Sequence, residues 1–104
     1  MTPLFKVVKP SGILDGVATN ELKLQVLEFI QDETDVVLID MEDVTFMNSS
    51  GIGALVSILK SLRAKNKELY LCGLSNQVQM IFELTKMNRV FKTYSSLEEF
   101  EVTV

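Results

Sequence analysis

Length, composition and charge narrow the function classes open to this chain. It has 104 residues and a formal net charge of −4, with 47% apolar and 23% charged residues. These values predict one globular domain over residues 1–104, without the basic patch that binding of nucleic acid requires. The absence of histidine excludes Ser-His-Asp and Cys-His catalysis. Catalysis by Lys or carboxylate groups stays open, but nothing in the sequence points to it, and no enzyme is expected. Without a membrane-length apolar run or a signal peptide, the sequence predicts a soluble, cytoplasmic protein with no membrane partner.

The first thirty residues predict two short strands and a helix. Residues 5–8 have the composition of a strand, and turn residues at 10–12 lead into a short apolar piece at 13–14. We therefore expect a hairpin here. Residues 19–31 have helical spacing and place four apolar side chains on one face, namely Leu22, Val26, Phe29 and Ile30.

The middle of the chain predicts a strand, a crossover helix and a second strand. Residues 36–39 are four consecutive apolar residues, half of them β-branched, as in a central strand buried on both faces. From Ile52 to about Lys65 the apolar residues have helical spacing. Residues 69–72 form the next strand, and this order indicates a parallel pair with a right-handed connection.

The last thirty residues predict two more helices and an edge strand. Ser75 is placed to cap a third helix, and Val90 and Phe91 form a short apolar piece suited to an edge strand. Ser96 and Glu99 fit a capping box that begins a short last helix. The whole pattern predicts an α/β domain with a small mixed β-sheet of four to five strands, flanked by about four helices.

The junction at residues 48–53 is open to two interpretations. Asn48 and Ser49 lie near a helix N-terminus, where their side chains accept hydrogen bonds from unpaired N–H groups. They are either capping residues alone or part of a site that tolerates an anion or a phosphate. The two glycines, Gly51 and Gly53, are too closely spaced for a dinucleotide fingerprint, and no lysine follows as a phosphate-binding loop requires.

Residues 40–53 resemble the signature of STAS domains, the sulfate-transporter and anti-sigma-factor-antagonist family. They are most similar to the small free-standing bacterial antagonists, in which an acidic strand end and Phe-Met precede Asp-Ser-(Ser/Thr)-Gly-(Leu/Ile)-Gly. Residues 12–15 resemble the family's Gly-x-Leu-Asp element, and the similarity extends over residues 12–100. From the residues alone, Asp15 is a turn residue or a helix cap. One departure is clear, since Asn48 stands where the family has Asp.

The resemblance implies a regulatory function. Ser49 takes the position of the family's phosphorylated serine, although Ser50 is a second candidate. The partner-binding surface would comprise Asp15, Asn48, Ser49, Ser50, Gly51 and Ile52. The unphosphorylated form is expected to bind an anti-sigma factor or a related switch kinase, and so to free its sigma factor or another target. This partner would be an ATP-dependent serine kinase of the histidine-kinase-like ATPase type.

Phosphorylation of Ser49 would end this binding, and a serine phosphatase would restore it. No catalytic residue, cofactor or metal is expected, and a monomer is the simplest state. The alternative is a module that binds a phosphate, a nucleotide or another small ligand at the same helix N-terminus. The lone cysteine, Cys72, is expected to be a small buried residue.

Overall fold

A computed structural model describes residues 4–30 and 33–103 of the chain. Its main element is a four-stranded sheet in which all three adjacent strand pairs are parallel. In spatial order the strands are β1 (Phe5–Val8), β3 (Val36–Asp40), β5 (Glu68–Cys72) and β6 (Lys92–Tyr94). Every residue of β3 is buried, which confirms the prediction of a central strand at this position. The parallel pairing of β3 with β5 is also confirmed.

Helices cover both faces of this sheet, with three helices on one face and one on the other. They are α1 (Gly16–Ile30), α2 (Ser49–Arg63), α3 (Asn76–Leu84) and α4 (Leu97–Thr103), with a 3-10 turn at Met87–Arg89. The first three contribute side chains to one large core, among them Leu22, Leu55, Ile58, Val78 and Phe82. The predicted inward position of Val26 is confirmed, whereas Gln31 and the side chains of Phe29 and Ile30 lie outside the described residues.

The other face of the sheet is covered by α4 through an aromatic cluster. The ring of Phe100 is fully buried and lies 5.1 Å from Phe5 and 5.2 Å from Tyr94, centroid to centroid. Both contacts are edge-to-face, the arrangement that the ring quadrupoles favour. Ser96 begins α4 as predicted, since its hydroxyl oxygen accepts the N–H of Glu99 at 3.1 Å.

Two further strands form a separate parallel pair, β2 (Ser11–Leu14) with β4 (Asp43–Met47). The predicted hairpin between β1 and β2 is therefore wrong. The turn residues between these strands instead carry the chain from one sheet to the other. Because β1 pairs with β3 and β2 with β4, both Val8 and Leu14 can enter the core, with exposed fractions of 7% and 1%.

A β-bulge in β4 decides which of its side chains face the core. Gly12 is paired with Val44, but the next residue of β2, Ile13, is paired with Phe46, so Thr45 is an extra residue. An extra residue shifts the inward and outward alternation of a strand by one position. Val44 and Met47 are consequently buried, while Thr45 and Phe46 are exposed.

The α/β fold class is confirmed, and the differences concern strand direction and element boundaries. The described part of the chain has six strands in parallel pairs where a mixed sheet of four to five was predicted. Helix α1 begins at Gly16, earlier than residue 19, whereas α2 begins at Ser49, in agreement with the expected position of Asn48 and Ser49 near a helix N-terminus. The edge strand is at residues 92–94, directly after Phe91, which is buried in the core.

Candidate functional site

The end of the β2–β4 pair brings two helix N-termini side by side. Leu14, the last residue of β2, is the register partner of Met47, the last residue of β4. The residues that follow, Asp15 and Asn48, each lead directly into a helix. Since paired strands lie about 4.8 Å apart, Asp15 and Asn48 are neighbours at the same edge of the molecule.

Asn48 is the N-cap of α2. Its backbone is extended, with φ −98° and ψ 178°, and its Oδ1 accepts the N–H of Gly51 at 2.8 Å. Its carbonyl oxygen accepts the first intrahelical bond, from the N–H of Ile52 at 3.0 Å. The predicted capping role of Asn48 is therefore confirmed, and it is fulfilled by an uncharged amide oxygen.

Asp15 has the corresponding position at the start of α1. Its Oδ1 accepts the N–H of Ala18 at 2.9 Å. Its carbonyl oxygen accepts both the N–H of Thr19 at 3.0 Å and the hydroxyl of Thr19 at 2.7 Å. Of the two interpretations left open by the sequence, Asp15 is thus a helix cap. Its carboxylate is half-buried beside the start of α2.

Two glycines allow these helix starts to approach closely. A Cβ atom on Gly51 would overlap the carbonyl oxygen of Leu14 and would lie 3.4 Å from Oγ1 of Thr19. A Cβ atom on Gly16 would lie 3.3 Å from Cβ of Ser50. The first turn of α2 is therefore in direct contact with the end of β2 and the start of α1.

The predicted partner-binding residues differ in accessibility. Asn48, Ser49 and Ser50 are exposed, so both serine hydroxyls can be reached by another protein. Ile52 is half-buried and packs against the main core, and Gly51 is buried beneath the surface that the others form. The structure thus brings Asp15 and residues 48–50 together at the surface, with Gly51 and Ile52 beneath them.

The segments that form this region carry very little charge. Residues 10–22 and 43–59 contain no Lys or Arg, and their only acidic residues are Asp15, Glu21 and Asp43. Lys9, just outside, lies 3.7 Å from Asp43 Oδ2 and 3.6 Å from Glu42 Oε2, and the carboxylates of Asp43 and Glu42 raise the pKa of Lys9. Lys23, which directly follows the first segment, donates from Nζ to Oγ of Ser57 at 2.9 Å, so these two cations are already engaged, Lys9 with carboxylates and Lys23 with a hydroxyl.

The sheet topology does not favour the ligand-binding alternative. In α/β sheets nucleotides bind at the carboxyl ends of strands, at the point where the strand order reverses. Here the order β1-β3-β5-β6 never reverses. A cleft of about 570 Å³ does lie at these carboxyl ends, with Asp40 and Lys9 in its lining, but residues 48–52 do not line it.

Two general features of the described residues complete this picture. No three His, Cys, Asp or Glu side chains among them are grouped as metal ligands would be. None of the helices within residues 4–30 and 33–103 is long and apolar enough to cross a membrane.

Reasoning from the sequence missed one element of this surface, the exposed apolar pair Ile13 and Phe46. The two residues are register partners in the β2–β4 pair, and they remain 57% and 41% exposed. Simple alternation from buried Val44 would have placed Phe46 in the core. Only the bulge at Thr45 turns it outward, and a bulge has no signal in one sequence.

Comparison with known proteins gives consistent results. The family model described as STAS domain matches residues 2–100. An anti-sigma-B factor antagonist of Staphylococcus aureus is 37% identical over 81 residues, which are 78% of this chain and 75% of that protein.

Two solved structures show the same fold. A putative anti-sigma factor antagonist from Thermotoga maritima has a TM-score of 0.84 at 23% identity, over 96% of this chain and 86% of that one. The Bacillus cell fate determinant SpoIIAA in its phosphorylated form has a TM-score of 0.70 at 20% identity, over 100% of this chain and 95% of that one.

Proposed function

The chain belongs to the STAS domain family, and from this premise we propose that it is an anti-sigma factor antagonist controlled by phosphorylation of Ser49. In the unphosphorylated form it binds an anti-sigma factor in the cytoplasm and thereby frees the sigma factor. The partner is a serine kinase that uses ATP, and it ends the interaction by phosphorylating Ser49. A serine phosphatase reverses the modification, and the chain itself catalyses no reaction.

The observation that carries this proposal is the position of Ser49. It is the first residue of α2, it is exposed, and it follows an N-cap that is already formed by Asn48. A kinase can therefore reach the hydroxyl without unfolding the helix. The match to relatives named anti-sigma-B factor antagonist supports the choice of partner.

Electrostatics explain how one phosphate can end binding without unfolding the protein. A phosphoserine adds about −1.5 to −2 charges. At a helix N-terminus this charge is tolerated, since its interaction with the helix dipole is favourable by about 0.3–1 kcal/mol. Within an interface the same charge loses its water, and residues 10–22 and 43–59 provide no Lys or Arg to compensate it.

The electrostatic energy that one phosphate adds to the interface is large enough to end binding. Two like unit charges about 4 Å apart repel by about 4 kcal/mol at an effective dielectric constant of 20. Half of this energy already weakens binding by more than about tenfold. Phosphorylation should therefore change the affinity for the partner far more than it changes the stability of the fold.

The replacement of the family's Asp by Asn48 is compatible with this mechanism. The amide oxygen preserves the bond to the N–H of Gly51 at 2.8 Å, so the helix start keeps its geometry. What changes is the charge next to Ser49, because Asn48 leaves Asp15 as the only carboxylate at the two helix caps. We propose that this neutrality alters the rate of phosphorylation and does not abolish it.

The test compares binding and stability in matched variants. Affinity for the anti-sigma factor encoded in the same genome is measured for wild type, Ser49→Ala, Ser49→Asp and Ser50→Asp, together with the melting temperature of each. We expect Ser49→Asp to lose at least about tenfold in affinity, for the reason given above, with a melting temperature within a few degrees of wild type. Ser49→Ala should bind as wild type does.

Two results would contradict the proposal. One is binding of Ser49→Asp at wild-type affinity. The other is a loss of affinity in Ser49→Asp that is matched by an equal loss of folded protein, because unfolding alone would then explain it. Mass spectrometry of the protein from its native cells identifies the modified residue directly. Phosphate on Ser50 and not on Ser49 would move the switch by one residue.

A further inference from the structure

Ile13 and Phe46 form an exposed apolar surface, and the register of the strand pair determines its outward direction. Ile13 and Phe46 are 57% and 41% exposed, although each directly precedes a residue that is buried in the core. The bulge at Thr45 is the cause, because without it Phe46 would point inward and Met47 outward. Bulges are built features of strands that re-aim a side chain.

This pair lies directly beside the phosphorylation site. Ile13 is two residues before Asp15, and Phe46 is two residues before Asn48, on the same two registered strands. Any protein that covers the exposed residues 48–50 will therefore also approach this apolar pair. The pair and the helix caps form one continuous surface.

The charges around Ile13 and Phe46 indicate which kind of partner surface can bind to this pair. Within residues 10–22 and 43–59 there is no Lys or Arg, Asp43 is paired with Lys9 at 3.7 Å, and Asp15 is engaged as a cap at 2.9 Å. Two flanking cations are engaged, Lys9 with Glu42 and Asp43 and Lys23 with Ser57 Oγ at 2.9 Å, so these segments offer an acidic or phosphorylated ligand no cation of their own. An uncharged apolar surface of another protein that covers the region gains free energy by burying both side chains.

We propose that Ile13 and Phe46 form the apolar anchor by which the chain binds its anti-sigma factor, with Ser49 at the rim of the contact. This inference rests on the proposed function, whose partner it shares, and adds how binding is driven. The unmodified surface binds by apolar burial. A phosphate on Ser49 then places an uncompensated charge at the edge of a contact that must exclude water.

The first experiment measures affinity for the anti-sigma factor in matched variants. Phe46→Ser and Ile13→Ser remove the anchor, and Leu24→Ser is the control, since Leu24 is 60% exposed and lies about 12 Å further along α1. We expect Phe46→Ser to lose about thirtyfold or more, as interface hot spots do, and Ile13→Ser about tenfold. Leu24→Ser should bind as wild type does.

Calorimetry and ionic strength provide readouts that a folding defect would not reproduce. Binding by apolar burial has a negative heat-capacity change, which should be smaller in magnitude in the Ile13→Ser variant. The affinity of wild type should vary by less than about threefold between low and high salt, since the anchor uses no ion pairs. Melting temperatures verify that each variant is folded, and Phe46→Leu, which keeps an apolar side chain, should recover most of the affinity.

The outcomes separate this inference from the proposed function. If Ser49→Asp ends binding while folded Phe46→Ser and Ile13→Ser bind normally, the anchor is overturned and the switch is retained. If wild type binds no anti-sigma factor, both are overturned. If wild type forms a dimer that Phe46→Ser converts to monomer, the pair joins two copies of this chain and the anchor is again overturned.

Discussion

The α-carbon of Gly51 in α2 lies against the carbonyl oxygen of Leu14 at the end of β2, with no space for a side chain between them. This contact joins two residues that are 37 positions apart in sequence. It brings the first turn of α2 next to the Asp15 cap of α1. The relative position of Ser49 and Asp15 therefore depends on a glycine that is itself buried.

Replacing Gly51 by Ala should destabilise the protein, whereas Gly53→Ala in the same helix should stabilise it. The added methyl group of Gly51→Ala overlaps backbone, which cannot move aside easily, so we expect a loss of about 1–3 kcal/mol in the free energy of unfolding. Gly53 is exposed with nothing within 4 Å of a Cβ, and Ala gains about 0.5–1 kcal/mol of helix propensity there. Urea denaturation measures the free energy of unfolding of both variants. Changes of the same sign in the two variants would contradict the structure.

The cap of α2 should require an oxygen acceptor at residue 48, whether or not that oxygen carries a charge. Asn48→Ala removes the bond to the N–H of Gly51, and we expect a loss of about 1 kcal/mol. Asn48→Asp keeps the acceptor and gains at most about 1 kcal/mol from the helix dipole, reduced by the nearby Asp15 carboxylate. Denaturation at low salt and at 1 M salt tests this, since only the contribution of the charge is screened. A cost of Asn48→Asp equal to that of Asn48→Ala would refute it.

Truncation of Phe100 should release α4 from the sheet. This ring is fully buried among Phe5, Tyr70 and Tyr94, so Phe100→Ala should cost about 3–5 kcal/mol in the free energy of unfolding. Val102 in the same helix is 88% exposed, and Val102→Ala should change stability by less than about 0.5 kcal/mol. Thermal or urea denaturation compares the two variants. Similar small effects would mean that α4 contributes little to the fold.

Cys72 should make stability decrease at alkaline pH. Burial raises the pKa of this thiol from 9.0 to about 11, with smaller contributions from the carboxylates of Asp40, Glu98 and Glu42. Between these two values the folded state keeps the proton that the unfolded state loses, so the free energy of unfolding falls as pH rises from about 9 to about 11. Cys72→Ala should flatten this part of the profile.

Urea midpoints measured at intervals across this pH range provide the test for Cys72. Burial also raises the pKa of Tyr70, but this residue is present in both proteins, so its effect cancels in the comparison. Equal slopes for wild type and Cys72→Ala would contradict the prediction. A thiol reagent at neutral pH should also react with the wild-type protein only as fast as the protein unfolds, since Cys72 is fully buried.

Features that depend on neighbours in sequence were predictable, and those that depend on distant pairing were not. The central strand at residues 36–39, the Asn48 and Ser75 caps and the start of α4 at Ser96 all follow from local composition and spacing. The turn chemistry at residues 10–12 fits a hairpin as well as a crossing between sheets. Only the partners in space, β3 for β1 and β4 for β2, decide between them.

The candidate site shows the same division. The motif at residues 48–51 is visible in the sequence because capping has a chemical signature. The outward direction of Phe46 depends on the register of β4 against β2, and one extra residue reverses it. The burial of Gly51 depends on a carbonyl group of another strand. Neither property can be obtained from residue types at fixed spacing.

The separation of β2 and β4 from the four-stranded sheet has a consequence for local opening. A two-stranded pair has fewer ladder bonds to break than the main sheet, so its amides should exchange with solvent through smaller fluctuations than those of β3 and β5. The proposed partner-binding surface is thus built on a part of the molecule that should open locally more easily than the core. Binding there would slow hydrogen exchange most in β2, β4 and the two helix starts, and phosphorylation would restore the faster exchange.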